Sequence, residues 1–453
     1  MDQVAVLIVK IYVMNRVILI GNGFDLFHGL KTSYKHFIDN YWQNVINKIN
    51  KEVTKNVHNE WENDDFKILN QRENNFLHSF NAKDFKRFKA LLDVQNIKIE
   101  FHNEFLNILS KNSSLENWSG IESEYYNQLK ELLKGERSNS KFRDINDLNR
   151  CFLRIKDLLK QYIKDVEEPY KVKGAVCNDA LFSEFYKEYD MEDFEESYIK
   201  LRVESELKNF ENLYSRYSHN YGQFIRSNFN DFESNSDNHK LSLAANFFDS
   251  NNGIFDNSTV RETLFNKELS SKCFNLVPDS ILFLSFNYTD IFLDYSKYKD
   301  GPRYNKLNIN IGINKIHGDY LDSTNDPLIF GFGDELDQDY HEIERVNDNR
   351  YLENIKSIKY LESRNYKKLI EFIGSDYFQV FVVGHSCGLS DRTLLSTIFE
   401  HQNCASIKVF YYENGESDNY SDIIRNISRS FRDKMKMRER VVNKSNSQPL
   451  PKA

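Results

Sequence analysis

The sequence of 453 residues contains little cysteine, glycine or proline, and each scarcity excludes a class of protein. Its five cysteines are scattered, and no two of them form a C-x-x-C pair, which excludes a structural zinc ribbon and a disulfide framework. With 17 glycines and 6 prolines, the chain is neither collagen-like nor of low complexity. We therefore expect a cytoplasmic protein that holds no structural metal.

Three further patterns are missing from the sequence. The apolar stretch from Val4 is interrupted by Lys10, so we expect neither a signal peptide nor a membrane-spanning run of about 20 apolar residues. A G-K-[ST] phosphate loop is absent, which argues against ATP hydrolysis by that route. The formal net charge of −8 makes nucleic acid an unexpected partner for the whole chain.

The start of the chain allows two interpretations. Met14 begins a run that resembles a first strand. We predict either that Met14 is the natural start, with residues 1–13 an upstream extension, or that these residues form an added edge strand.

Apolar residues are abundant, at 40% of the chain, and they include 35 Phe and 26 Tyr. This content excludes disorder, and the length allows two or three domains of about 100–200 residues. Continuous apolar runs predict buried strands at 16–20, 280–285, 315–316, 328–330, 378–383 and 406–412. Apolar strands that alternate with helices indicate an α/β fold with a parallel sheet covered on both faces.

The two ends of the chain differ in character from its middle. Residues 14–50 and 275–415 carry the strand signals, and we predict that together they form one discontinuous α/β domain. Residues 51–274 are poor in Pro and Gly and contain amphipathic patterns, which predict a large helical insertion. Residues 416–453 are predicted to form a basic C-terminal helix and tail.

The first candidate binding motif, GNGFDLFHGLKTSY, follows the first predicted strand and runs from Gly21 to Tyr34. Closely spaced glycines let the backbone turn tightly and approach a phosphate, and the next helix adds N–H groups. Gly29 lies too far from Gly23 for the dehydrogenase fingerprint. A simple turn between strand and helix is the alternative interpretation.

Two more motifs follow predicted strands. LSFNYTD places Asn287 where an uncharged amide can hold a water molecule or a ribose hydroxyl, or can cap a helix instead. KIHGDY places His317 and Gly318 at the end of another strand. An imidazole in that position can act as a general base, although many such histidines are structural.

The fourth motif, FVVGHSCGLSDRTLL, again joins a strand to a glycine turn and to a predicted helix that begins near Asp391. It contains the G-x-S-x-G pattern of α/β-hydrolases around Ser386. Beyond this loop the only later histidine is His401, at the end of the next predicted helix, so no residue completes a triad. We therefore favour a ligand-binding loop.

In this order, the four motifs resemble the AbiH family of bacteriophage abortive infection proteins. The family begins with GNGFDLAHGL-T-Y, which this chain matches at GNGFD (21–25) and then at Gly29, Leu30, Thr32 and Tyr34. Later FNYT, HG and GHS-G-SD elements are matched as well. An internal W-x-x-[IL]-E element is matched by Trp118, Ile121 and Glu122. The match covers both ends of the chain and little of its middle.

The AbiH family is in turn similar to the sirtuin-like NAD-binding fold. This similarity implies a Rossmann-like parallel sheet with Asn287 and His317 as the catalytic pair. The residues it implies for binding the nucleotide are Gly21, Asn22, Gly23, Phe24, Asp25, Thr32, Gly318, Gly384, His385, Ser386 and Asp391. Thr289 stands where the sirtuin pattern has an Asp, and the zinc-binding cysteines are absent, so deacetylation is disfavoured and no metal is expected.

The resemblance implies a phage-defence effector that binds NAD, or a related nucleotide, and hydrolyses its nicotinamide glycosidic bond. Such activity would stay latent until a phage-derived trigger or a second defence protein acts, with the helical middle as a sensor or as a surface for homo-oligomers. A nucleotide-sensing module without catalysis is one alternative, which Thr289 favours. A nucleic-acid-acting effector that uses the basic residues after Arg425 is the other.

Overall fold

A six-stranded sheet organises the molecule, and a three-stranded sheet lies in the inserted region. The computed structural model describes residues 14–53, 59–71, 77–112, 118–134, 141–173, 177–217, 236–297, 309–321 and 327–451. The strands are β1 (Met14–Ile20), β2 (Glu60–Glu62), β3 (Phe66–Asn70), β4 (Ile97–Phe101), β5 (Ser280–Ser285), β6 (Asn310–Lys315), β7 (Tyr377–Val383), β8 (Cys404–Tyr411) and β9 (Gln448–Pro449). Residues 1–13, for which an edge strand was one interpretation, lie outside the described part.

The helices fall between these strands. They are α1 (Asn22–Phe27), α2 (Tyr34–Val53), α3 (Phe85–Val94), α4 (Glu104–Lys111), α5 (Trp118–Leu133), α6 (Ile145–Lys173), α7 (Asp179–Tyr186), α8 (Glu196–Tyr217), α9 (Ser236–Ser250), α10 (Asn257–Phe265), α11 (Ser270–Cys273), α12 (Leu293–Ser296), α13 (Gln338–Arg345), α14 (Lys356–Tyr360), α15 (Arg364–Ser375), α16 (Arg392–Phe399), α17 (Tyr420–Arg429) and α18 (Lys434–Arg440). Short 3₁₀ turns cover Met191–Asp193, Asn349–Tyr351 and Leu389–Asp391. In the part of the chain that is described, no helix is both long enough and apolar enough to span a bilayer.

The large sheet has the strand order β6-β5-β1-β7-β8-β9, and all its neighbouring strands are parallel. This is the doubly wound order of dinucleotide-binding folds, in which the strands spread in opposite directions from a central first strand. The reversal leaves a crevice at the carboxyl ends of β1 and β7. The predicted α/β class with a parallel sheet is confirmed.

Helices cover both faces of this sheet, and the alternation of side chains along β1 shows how. Val17 and Leu19 belong to the core shared with α15 to α18, whereas Ile18 and Ile20 belong to the core shared with α1, α7 and α12. Successive side chains of a strand point to opposite faces, so a strand buried on both sides must be apolar throughout. This requirement explains the unbroken apolar run at 17–20.

The inserted region contains an element that the sequence analysis did not predict. Strands β2, β3 and β4 form an antiparallel sheet in a segment expected to be helical. Their buried residues, among them Trp61 and Ile68, pack into one core with α2 to α6. Residues from 189–210 and 244–276 contribute to a second core that includes Met14 at the amino end of β1. The described residues of the insertion therefore pack into these two cores and, through α7, against the large sheet, while its predicted boundaries of 51 and 274 stay a prediction.

Two other segments differ from the expectation. The predicted strand at 328–330 is wrong: this buried stretch joins no sheet, and Phe330 instead stacks on Phe152 of α6. The C-terminal segment forms α17, α18 and β9 rather than one helix with a tail. Arg440 of that segment is buried and bonds to Glu195 at 3.1 Å, so this basic residue faces the protein interior.

Candidate functional site

A cleft of about 580 Å³ opens where β1, β5, β6 and β7 end. Eleven residues predicted to bind or react with a ligand line it: Gly21, Asn22, Gly23, Asp25, Thr32, Asn287, His317, Gly384, His385, Ser386 and Asp391. Phe24 and Gly318 are not among the described lining residues. Phe24 is buried edge-on against Tyr295, and Gly318 turns the chain with φ +77°.

The two glycine loops that line the cleft are hydrogen-bonded to each other. The Gly21 N–H donates to the Val383 carbonyl at 3.1 Å, and the Gly23 N–H donates to the Gly384 carbonyl at 2.7 Å. A Cβ on Gly384, which has φ +66°, would lie 2.1 Å from the Phe24 nitrogen. Glycine is therefore required for the close approach of these loops. Because both amides bond to the neighbouring loop, a phosphate would need other donors.

Asp25 and Asn287 line the cleft, and we call them the neutral wall together with Thr289, which is buried and is not among the described lining residues. The Asn287 Nδ2 group donates to Asp25 Oδ1 at 2.7 Å and to the Gly21 carbonyl at 3.0 Å. The Thr289 hydroxyl donates to Asp25 Oδ2 at 2.9 Å. Both partners of Nδ2 are acceptors, so the amide orientation is fixed and Asn287 Oδ1 is left to meet a ligand.

Asp25 is buried without a cation among its described hydrogen-bond partners. Burial raises its pKa from 3.8 to about 7, although the hydrogen bonds from Thr289 and Asn287 act in the opposite direction. The Asp25 carboxyl group therefore titrates near neutral pH. The sequence analysis assigned this residue to binding only.

A second group of lining residues, which we call the ionic wall, consists of Glu122, Lys356 and Asp391. The buried Lys356 Nζ lies 2.8 Å from both carboxylates. Burial would raise the pKa of Asp391, but Lys356 and the nearby histidines hold it well below its usual range. Burial raises the pKa of Glu122 to about 7; the negative charge of Asp391 acts in the same direction, and Lys356 acts against both.

Two histidines border the ionic wall, and both have a lowered pKa because they are buried. His317 Nδ1 lies 3.0 Å from the Phe286 carbonyl and must carry the proton there. Its Nε2 lies 3.2 Å from both Tyr360 Oη and Asp391 Oδ1. His385 Nδ1 accepts from the Cys387 N–H at 2.9 Å, which places the proton of the neutral ring on Nε2.

Sequence reasoning missed the role of Lys356 and left that of Glu122 open. Lys356 lies in a segment with several other charged residues, and this pattern is typical of a solvent-exposed helix. No local signal therefore indicates that Lys356 is buried. Glu122 was noted only as part of the W-x-x-[IL]-E element. Nothing in the described part of the chain groups three His, Cys, Asp or Glu side chains in a way that could hold a metal ion.

The fold and the cleft define a class: a doubly wound α/β protein with a ligand-sized, carboxylate-lined cleft at its topological switch point. The chain belongs to the bacteriophage abortive infection AbiH family, whose model matches residues 17–413. This match confirms the family resemblance and indicates a role in phage defence by abortive infection. None of the curated proteins and none of the solved structures compared with the chain gave a match.

Proposed function

We propose that this protein defends against phage by binding NAD, or a related nucleotide, in the cleft and hydrolysing its nicotinamide glycosidic bond. The observation that carries the proposal is the position of a carboxylate-lined cleft at the switch point of a sheet with dinucleotide-binding strand order. Its volume of about 580 Å³ falls within the range of about 300–1,000 Å³ that small-molecule sites occupy.

The lining of the cleft suits this chemistry. Cleavage of a glycosidic bond passes through an oxocarbenium-like transition state, in which positive charge develops on the ribose. The ionised Asp391 lies in position to stabilise such charge, and Asn287 Oδ1 can accept from a water molecule or a ribose hydroxyl. NAD and water would give ADP-ribose, neutral nicotinamide and one proton.

A nucleotide sensor without catalysis is the second candidate, and the geometry of His317 favours it. Both ring nitrogens already face protein groups: the Phe286 carbonyl on one side, and Tyr360 and Asp391 on the other. A histidine held in this way orders the wall of the cleft more readily than it takes a proton from water. Binding of NAD without release of nicotinamide would support the sensor.

The test compares wild-type protein with His317→Ala and with His102→Ala, which alters an exposed histidine of the inserted region paired with Glu62. NAD and nicotinamide are measured in phage-infected cells, and NAD binding is measured on each purified chain. We expect His317→Ala to lower nicotinamide release, because His317 lines the cleft and its Nε2 lies 3.2 Å from Asp391 Oδ1, while His102→Ala matches the wild type. Equal release from all three chains would remove His317 from the mechanism, and failure of the wild type to bind NAD would refute the proposal.

A further inference from the structure

The three carboxyl groups that line the cleft differ in their partners. Glu122 and Asp391 both bond to Nζ of Lys356 at 2.8 Å. A proton added to either group therefore weakens an ion pair. Asp25 instead accepts hydrogen bonds from an amide and a hydroxyl. Of the carboxyl groups in the described lining, Asp25 is the one that can gain or lose a proton without disrupting an ion pair.

The cleft histidines are less suited to proton transfer. The two ring nitrogens of His317 are engaged by backbone and side-chain groups, as described above. His385 accepts a backbone N–H at Nδ1, and its burial lowers the pKa to about 4. A group that is to accept a proton near neutral pH needs a pKa close to that pH, which again favours Asp25.

Thr289 explains how the carboxyl group of Asp25 is supported. Its hydroxyl donates to Asp25 Oδ2 at 2.9 Å, two residues after Asn287. An aspartate at position 289 would bring a second carboxylate to that distance, and the two like charges would repel each other. An uncharged threonine therefore fits beside Asp25, whereas an aspartate at position 289 would not.

We infer that Asp25 accepts the proton of the attacking water, with Asn287 and Thr289 holding its carboxylate in place; the inference rests on the proposed NAD hydrolysis. The water oxygen forms a bond to C1′ of the nicotinamide ribose. The C1′–N bond breaks, and its electron pair passes to the ring, which leaves as neutral nicotinamide. The water proton passes to Asp25 and then to solvent. Asp25 is thus a catalytic residue and Thr289 a positioning residue.

The pKa of Asp25, and with it the pH at which activity should rise, depends on the charged groups around Asp25. Glu167 of α6 acts on Asp25 from the inserted region and raises its pKa. The remaining charged groups of the lining, Glu122, Lys356 and Asp391, belong to the ionic wall, and His317 and His385 border them. A base must be ionised to act, so activity should rise with pH through the pKa of Asp25.

The experiment measures nicotinamide release and NAD binding on both sides of neutral pH, with full-length protein activated by an extract of phage-infected cells. The variants are Asp25→Asn, Thr289→Val, Thr289→Ser and Glu122→Gln. Asp39→Asn is the control, because Asp39 forms an exposed pair with Lys35 on α2. We expect Asp25→Asn to lower kcat by roughly 10²–10⁴-fold with NAD binding retained.

Thr289→Val should move the rising limb of the pH profile to higher pH, because the lost hydrogen bond no longer favours the carboxylate. Thr289→Ser keeps the hydroxyl group, so its pH profile should match that of the wild type. A purely structural role of Thr289 would not require this match. Asp25→Asn releasing nicotinamide at the wild-type rate would overturn the inference and leave NAD hydrolysis intact. The inference would also be overturned if Glu122→Gln, but not Thr289→Val, shifted the rising part of the pH profile. No release by the wild type would overturn both proposals together.

Discussion

The two walls of the cleft hold buried aspartates in opposite ways. On the ionic wall, Asp391 lies 2.8 Å from the ammonium group of Lys356, and its pKa is held well below the usual range. On the neutral wall, Asp25 has an amide and a hydroxyl as partners, and burial raises its pKa to about 7. The residue type and the degree of burial are alike. Between these two aspartates, the ammonium group of Lys356 helps to keep Asp391 ionised, whereas Asp25, whose described hydrogen-bond donors are uncharged, can exchange protons.

The largest effect on stability is expected when the ammonium group of Lys356 is removed. Lys356→Met would leave Glu122 and Asp391 buried without a counter-ion and make the ionic wall resemble the neutral wall. We expect the free energy of unfolding at neutral pH to fall by about 3–5 kcal/mol, measured by urea denaturation. Lys359→Met, which alters a partly exposed pair with Glu362, should change it by less than about 1 kcal/mol. Similar losses in the two variants would mean that Lys356 does not stabilise this wall.

The second effect concerns the contact between the two glycine loops that line the cleft. Gly384→Ala places a Cβ 2.1 Å from the Phe24 nitrogen at a positive φ. We expect a loss of roughly 2–4 kcal/mol from backbone strain and overpacking, measured as a lower denaturation midpoint. Gly374→Ala in α15 meets no atom within 4 Å and should be neutral or stabilising by about 0.5 kcal/mol. If Gly384→Ala had the same denaturation midpoint as the wild type, the close contact of the two loops would not contribute to stability.

The smallest effect is a gain in stability instead of a loss, and it concerns Asp25 of the neutral wall. The folded-state pKa of Asp25, about 7, lies above its ordinary value of 3.8, so the folded state binds the proton more tightly than the unfolded chain. The stability that this proton contributes is present below the ordinary pKa and is lost as pH rises through the folded pKa. Asp25→Asn should therefore stabilise the protein by about 1–3 kcal/mol above neutral pH.

The check on this prediction is a series of thermal denaturation curves across the acidic and neutral range. The gain from Asp25→Asn should shrink as the pH falls toward the ordinary pKa of an aspartate, whereas Asp39→Asn should show no such trend. A gain that does not depend on pH would indicate that Asp25 stays protonated, or stays ionised, throughout.

Sequence reasoning worked best where one local pattern has one structural outcome. The apolar runs at 16–20 and 280–285 predicted parallel strands, and motifs that follow such strands must meet at one edge of the sheet. This is why Asn287 and His317 line the same cleft although they follow different strands. Their chemical roles stay predictions.

Sequence reasoning was weaker where burial depends on distant partners. The apolar run at 328–330 has the composition of a strand, but it packs against the inserted region and joins no sheet. Strands β2, β3 and β4 are only three to five residues long and carry charged residues on their outer sides, so their pattern is faint. Lys356 gave no signal because a buried lysine and an exposed one look alike until their neighbours are known.

By itself, the sequence determined the family, the parallel α/β class and the convergence of four motifs at one edge, because each follows from residues that are close together along the chain. The tertiary structure alone decided the charge of each wall. Glu122 and Lys356 are 234 positions apart, and only folding places them 2.8 Å from each other and gives Asp25 an amide and a hydroxyl as its described hydrogen-bond donors. Electrostatic interactions depend on distance in space and on burial, and neither can be read from the order of the residues.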